Sequence, residues 1–371
     1  MATEPEAGAG AGAGAAPAGA ARQAPLQSVG PVAGPPALRI GPVCVRPGIL
    51  LAPMEDLTDS PFRLICKRLG AALVYTEFTN AQGLVRDDPA RPGRALGKLR
   101  FAAEERPLGI QLYGADARAM ARAAEIAAAV GPDLLDVNCG CWVRSVALQG
   151  AGAGLLRDPA AMRAVVASVV RATSLPVTVK TRLGWDAASI RILDVARMLE
   201  DAGIQGLTVH CRTRAQGNSG PVDWSWIARL REVVRIPVIL NGGLAEAADV
   251  ARAYATTGCS GVMIGRGAVQ HPWIFREAGS LLLDGIAPPP PSMVERVDLC
   301  LAHLGLAVAH GGERYALVSL RRHYAGYFRH LRGAAALRRE LADCGHVDAV
   351  IAALHRLRER ALREGPDAAA C

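Results

Sequence analysis

The residues with the most chemistry to offer sit where short apolar runs stop. Leu134-Leu135-Asp136-Val137 reads as a buried strand, and it ends on Asn138-Cys139-Gly140-Cys141-Trp142. An amide, a glycine turn and a thiol at a strand end are either side chains delivered to a site or a tight turn with incidental cysteines. Cysteine is among the most buried residue types and is usually inert. A partly exposed thiol in an electropositive site can instead transfer a proton, and Lys180, Arg182 and Arg144 are the cations that could surround Cys141. By alternation Cys139 should point elsewhere. Two thiols without a matching His/Cys pair are poor zinc evidence, so no metal site is expected.

The same arrangement recurs along the chain. Apolar runs at 48–54, 73–78, 108–113, 134–138, 177–182, 206–211, 237–241 and 261–265 are separated by helix-length segments. That spacing predicts parallel pairing through βα units, and eight such strands predict a closed (β/α)₈ TIM barrel. An open doubly wound sheet would usually carry a Gly-rich phosphate loop after its first strand; here that strand runs into Ala52-Pro53-Met54-Glu55.

In a barrel the C-terminal strand ends form one rim. The residues there are Pro53 and Met54, Glu77, Gln111, Asn138 with Cys141, Lys180 with Arg182, His210 with Arg212, Asn241-Gly242-Gly243 and Gly265-Arg266. Taken singly, several have a bland explanation. Gln111 in an apolar strand is more often a satisfied core group than a ligand contact, and a lone His210 is more often structural. Glu77 could equally be a barrel-interior group paired to an arginine. Lys180, directly after Val177-Thr178-Val179, points the other way, because a lysine is rarely buried without an anionic partner. The two glycine loops follow the seventh and eighth strands, where barrels commonly bind phosphate through backbone N–H groups, and Arg266 could add a bidentate contact.

The remaining chain sets the frame. Its 371 residues are 51% hydrophobic, enough for a barrel of about 250 residues and a further domain. Residues 1–36 are mostly Ala, Gly and Pro and read as a disordered tail, fitting neither a secretory signal nor an Arg-rich transit peptide. No window approaches a membrane span. A cytoplasmic location and unpaired thiols follow as expectations, with nine cysteines in no framework. Residues 37–287 should hold the barrel. After the stiff Pro288–Pro291 linker, the capping box Ser292-Met293-Val294-Glu295 opens a small all-α C-terminal domain over 292–364. The net charge of +8 permits a polyanionic partner. Between Arg314 and Arg339 there are seven arginines and no Asp or Glu. Arg322 and Arg329 are expected to share one helix face beside Tyr324 and Tyr327, suited to phosphate contact and base stacking.

With these residues in view, the chain resembles the tRNA-dihydrouridine synthases from about Ile49 to Leu341. The blocks that carry the resemblance are Ala52–Arg63, Asp136–Cys141, Gly150–Pro159, Val179–Trp185, His210–Gln216 and Val262–Gly267. The segments Arg321–Tyr327 and Leu337–Leu341 lean towards the bacterial B-type subgroup. The resemblance implies an FMN-binding barrel with a helical tRNA-binding domain, and NADPH or NADH as reductant. It implies that Pro53, Met54 and Glu55 line the flavin and that Gln111 bonds the isoalloxazine edge. It places Lys180 beside the ring's N1/O2 region and His210 near the cofactor, with Asn241, Gly242, Gly243, Gly265 and Arg266 holding phosphate. Asn138 and Arg182 match positions that meet the target uridine, Cys141 the general acid. Arg322, Tyr324 and Arg329 are expected to contact RNA. No protein partner is legible, and a monomer is expected.

Three positions depart from the family pattern. Trp142 stands where proline usually follows the acid cysteine, Gly243 replaces a usual acidic residue, and Cys211 replaces a usual small one. Two rival readings remain: a catalytically impaired tRNA-binding homologue, and an FMN barrel reductase of a small pyrimidine.

Overall fold

Strand alternation decides what this barrel presents to its interior and what to its helices. In the computed structural model, which describes residues 35–364 apart from 89 and 92, the strands are β1 (Leu38–Ile40), β2 (Val43–Val45), β3 (Ile49–Leu51), β4 (Val74–Tyr75), β5 (Thr79–Asn80), β6 (Leu108–Tyr113), β7 (Leu134–Cys139), β8 (Val177–Arg182), β9 (Gly206–His210), β10 (Val238–Asn241) and β11 (Gly261–Ile264). The main sheet runs β3-β11-β10-β9-β8-β7-β6-β4, every pairing parallel, with β5 extending the pairing to β6. A parallel bridge between Leu50 and Leu73 joins β3 to the far edge and closes the ring. The eight expected strands are all present, shortened at the first two, with β5 as a short addition. The expected tail over 1–36 lies outside the described residues except for Pro35 and Pro36.

Two separate cores follow from the alternation. Outward residues such as Ile49, Ile110, Val137, Val179, Val209 and Val262 pack against the surrounding helices. Inward residues Leu50, Ala52, Leu73, Tyr75, Leu134, Ile239 and Met263 fill the lower barrel. Leu38 and Ile40 of the antiparallel β1–β2 hairpin join this inner cluster and plug the barrel floor. The sequence reading missed the hairpin: two three-residue strands carry almost no periodic signal. With apolar side chains below, the polar inward residues Gln111, Asp136, Asn138, Lys180, Arg182, His210 and Asn241 are stacked towards the opposite, C-terminal end.

Helix starts follow their capping residues. Asp59 accepts from the Phe62 N–H at 3.0 Å and opens Ser60–Arg68 with Pro61 in the first turn. Asp158 caps Pro159–Arg171, and Ser292 with Glu295 forms the expected capping box of the helix Met293–Leu320. That helix is broken at Gly312, whose φ of 80° only glycine tolerates readily. Beyond it come Tyr324–Tyr327, Ala334–Asp343 and Val347–Glu364. Their core gathers Val297, Leu304, Leu320, Tyr324, Tyr327, Phe328 and Leu354 around Trp273.

This packing corrects part of the expected RNA-facing surface. Tyr324 and Tyr327 are each only 1% exposed, so neither can stack on a base. Aromatic rings among leucines contribute more as core than as platforms. Arg322 and Arg329 do not share a helix face, because the chain turns after Leu320 and again after Tyr327. Arg322 is about half exposed and faces Asp56 at 3.9 Å, while Arg329 is partly buried.

Candidate active site

A cavity of about 550 Å³ opens at the C-terminal strand ends. It brings together Pro53, Met54, Glu55, Asn138, Cys141, Lys180, Arg182, His210, Asn241, Gly242, Gly243, Gly265 and Arg266, twelve strand-end residues and the thiol. Of the strand-end residues expected at the site, two do not line this cavity: Glu77, which faces the neighbouring cleft with Arg94 and Lys98, and Gln111. Gln111 is fully buried, with both ends of its amide engaged below the floor.

Asn138 builds the loop that carries the thiol. Its Oδ1 accepts from the Gly140 N–H at 3.1 Å and the Cys141 N–H at 2.9 Å, folding the chain back over the strand end. Its Nδ2 donates to Gln111 Oε1 at 2.9 Å. The Cys141 carbonyl accepts from Ala153 N–H at 3.0 Å, and Gly152 packs so closely that a Cβ there would lie 3.0 Å from Cys141 Cβ. Burial pushes the Cys141 thiol up, against smaller opposing pulls from the Val143 N–H, Arg182 and Lys180. The thiol is therefore protonated at neutral pH, the state a proton donor needs. Cys139 points into the outer core as alternation requires, and burial holds its thiol protonated as well.

Cations cluster around the thiol. Burial, then Arg182, brings the Lys180 ammonium down to about 8. Arg182 is 3% exposed and spends its guanidinium on the Gly140, Thr213 and Gly217 carbonyls and on Asn218 Oδ1. It ties the thiol loop to the 213–218 loop. Arg212 donates to the Gly220 carbonyl, and Arg266 to the Asn218 carbonyl at 2.7 Å. Burial and the charges of Arg182, Lys180, Arg212 and Arg266 hold His210 well below its ordinary range, so its imidazole is neutral. Its Nε2 lies 3.2 Å from Arg212 Nη1, a geometry in which the neutral ring accepts.

The glycine loop after β10 is shaped by close approach. Gly242 has φ of 102°, and a Cβ there would sit 2.6 Å from His210 Cδ2. Gly243 also has positive φ, at 79°, and a side chain would run into Val222. An acidic residue at this position, as in the family pattern, would need both backbone and neighbours to shift. Trp224 Nε1 donates to the Gly242 carbonyl at 3.0 Å and fixes the loop from outside.

Several contributors escaped the sequence reading. Trp224, Gly217 and Asn218 lie on loops whose turn residues have no periodicity to mark them. Asp136 was visible in the opening stretch but reads as one more inward strand residue. Glu55 has its carboxylate on Arg94 at 3.1 Å and on Lys98, while its Oε2 is buried without a hydrogen-bond partner among the described residues. Glu77 is not paired to an arginine; its Oε1 accepts from the Asp56 N–H at 2.5 Å. Glu55, Asp56 and Glu77 converge, but Arg94 and Lys98 already neutralise them.

A family model described as dihydrouridine synthase (Dus) matches residues 50–364. The chain belongs to the dihydrouridine synthase family. Among similar curated proteins, the probable tRNA-dihydrouridine synthase 1 of Synechocystis sp. is 36% identical over 84% of this chain and 86% of its own. tRNA-dihydrouridine synthase B of Xanthomonas campestris is 37% identical over 78% of this chain and 86% of its own. The probable tRNA-dihydrouridine synthase of Mycobacterium tuberculosis is 38% identical over 87% and 85%. Among solved structures, histamine dehydrogenase from Rhizobium sp. 4-9 superposes with a TM-score of 0.52 at 14% identity, covering 73% of this chain and 50% of that one, a likeness of fold. Within the dihydrouridine synthase barrel of this chain, Cys141, Lys180, Arg182, Arg212 and Arg266 share one cavity with the glycine loops after β10 and β11. Among the described residues, no helix is long and apolar enough to cross a membrane.

Proposed function

We propose that this chain is an FMN-dependent tRNA-dihydrouridine synthase of the B type, drawing electrons from NADPH or NADH. The observation that carries the reading is the cavity of the family barrel, which sets a protonated Cys141 thiol among Lys180, Arg182, Arg212 and Arg266. Four cations converging on two glycine loops call for a bound anion, and the phosphate of FMN is such a group. Gly242 and Gly243 hold positive φ where a side chain would collide with His210 and Val222, and that bare turn lines the same cavity as the four cations, as a phosphate site requires.

Asn241, Gly242, Gly243, Gly265 and Arg266 would hold the phosphate, and Pro53, Met54, Glu55, Lys180 and His210 the ring. Gln111 would act from beneath the floor through Asn138. When bound, the reduced flavin supplies hydride to C6 of the target uracil. The chain supplies the rest. Lys180 presents a positive charge to the ring site below pH 8, neutral His210 adds none, and Cys141 gives its proton to C5. Asn138 and Arg182 hold the thiol loop at the wall where the uridine enters. The base must leave the tRNA stack to reach this depth, as other base-modifying enzymes require.

The barrel over 37–287 then carries catalysis, and the helices over 292–364 face the tRNA through Arg322 and Arg329. Arg322 lines a second cleft of about 490 Å³ between barrel loops and the long helix, with Arg94, Arg100 and His310. Every residue the reading needs lies in one chain, and a cytoplasmic monomer suffices. The missing proline at Trp142 does not leave the loop slack, because Asn138 already pins it. The indole rests on Gly217, whose Cβ would lie 3.8 Å from the ring. Activity is therefore expected with Trp142 in place, and Trp142→Pro should leave single-turnover dihydrouridine formation within about tenfold of wild type.

The test is expression in a bacterial strain lacking its own dihydrouridine synthases. Mass spectrometry of digested tRNA should show dihydrouridine restored at defined positions, and the purified protein should carry an oxidised-flavin spectrum. A colourless protein that binds tRNA without modifying it would favour the impaired homologue. A yellow protein reducing only free pyrimidines would favour the small-molecule reductase.

A further inference from the structure

Beneath the cavity floor lies a buried chain of hydrogen bonds that the reaction as described does not use. Asp136, 1% exposed, accepts from Gln111 Nε2 at 2.6 Å and from Thr178 Oγ1 at 2.5 Å. Gln111 Oε1 accepts from Asn138 Nδ2 at 2.9 Å, and Asn138 Oδ1 accepts from the Gly140 and Cys141 N–H groups. The two ends dictate its direction. An ionised carboxylate can only accept, and backbone N–H groups can only donate. Each amide in between therefore has one orientation that leaves no clash, and that orientation turns Asn138 Oδ1 towards the thiol loop.

We propose that Asp136 is a positioning residue: acting through Gln111 and Asn138, it fixes the orientation of the Asn138 amide and so holds the Cys141 loop at the cavity wall. The catalytic weight of this role rests on Cys141 being the proton donor; the positioning itself does not. The carboxyl is raised to about 6, mainly by burial, with Gln111, Thr178 and Lys180 pulling it back. It is ionised at the pH where the enzyme would work, which is the state the polarity argument needs. Cys139, Tyr75 and Lys180 are the other titratable groups that sense its charge. Arg182, Lys180 and Glu55 are the charges that tune the Cys141 thiol, and Asp136 is not among them.

That separation makes the proposal testable on the thiol itself. Asp136→Asn keeps the shape but lets the end group donate or accept, so the direction of the chain is imposed from the backbone end alone. The readout is the rate of Cys141 alkylation by iodoacetamide in the flavin-loaded protein without tRNA, followed on its own peptide by mass spectrometry across pH. Asp136→Asn should raise the plateau rate about tenfold, the factor expected when one buried hydrogen bond to a charged group is lost. The pH of the inflection should not move. Thr178→Val, which removes the other donor to Asp136 but spares Gln111, should leave the rate within about twofold of wild type. A wild-type rate in Asp136→Asn, a shifted inflection with no plateau change, or an equal effect of Thr178→Val would overturn the proposal. If Asp136→Asn yields no folded holoenzyme, Gln111→Met cuts the same chain at its middle link; faster alkylation supports the role and an unchanged rate overturns it. A wild-type protein that leaves tRNA unmodified while these thiol rates behave as expected would sink the synthase reading and leave the positioning role standing.

Discussion

In the proposed reaction Cys141 can act as an acid because burial outweighs the cations around it. Its thiol is raised, so it keeps its proton at neutral pH, and Lys180 at about 8 keeps its charge there as well. Both needed states are therefore lost in the same direction. Dihydrouridine formation should hold below pH 8 and decline above it as Lys180 deprotonates, measured as single-turnover rate against pH. A rate that rose between pH 8 and 9 would mean Lys180 acts uncharged. Cys141→Ala should cut dihydrouridine formation by roughly 10²- to 10⁴-fold, the usual worth of a positioned proton donor, while flavin reduction by NADPH stays near wild type. Equal losses in both half-reactions would point to a collapsed site instead. At this level the strand-end pattern grouped Lys180, His210, Asn138 and Cys141 on one rim, and one cavity brings them together. The hidden part was what each polar group is bonded to. Nothing in the types Gln111, Asn138 and Asp136 reveals that their amides and carboxylate join below the cavity, because that depends on register between β6, β7 and β8.

Elements set the loops that such residues occupy. The turn after β10 approaches His210 so closely that Gly242→Ala places a Cβ within 2.6 Å of the ring at a φ of 102°. The variant should purify with flavin occupancy reduced at least severalfold, read from the visible spectrum, and retained occupancy would argue against this loop as the phosphate cradle. At the seam between barrel and C-terminal helices, Phe62 stacks 4.4 Å from His323 and 5.7 Å from His303. Burial lowers both histidines to about 3, with His303 also opposing His323. A folded-state value below the unfolded one means stability is full above pH 6.5 and is lost as pH falls towards 3. Each should contribute roughly 2 kcal/mol less at pH 5 than at pH 8. The thermal midpoint should drop between those pH values, and His303→Gln should blunt the drop; an unchanged drop would place the acid sensitivity elsewhere. The barrel strands were legible because buried parallel strands are continuous apolar runs. The β1–β2 hairpin and the break at Gly312 were not, being too short or too local for any periodicity to register.

At the scale of the whole molecule, the proposed function uses two openings among the described residues, the barrel cavity and the cleft beside Arg322. Charge counting along 314–339 suggested a basic, aromatic helix face, yet the fold draws the tyrosines into the core and leaves arginines at the surface. Composition could not distinguish these outcomes, because the same Tyr side chains suit both a core and a stacking platform. The proposed RNA contact through these arginines is electrostatic, so Arg322→Ala should weaken tRNA binding modestly, with the salt slope reduced by about one ion. An unchanged affinity would remove the cleft from the interface. The central claim concerns the cavity: that this barrel reduces uridine in tRNA using a proton from Cys141. The most direct measurement mixes pre-reduced, flavin-loaded protein with unmodified tRNA in a single turnover. Flavin reoxidation should match dihydrouridine formed, and Cys141→Ala should slow both in step by roughly 10²- to 10⁴-fold. Flavin that stays reduced beside unmodified tRNA, or a wild-type rate of product formation from Cys141→Ala, would contradict it.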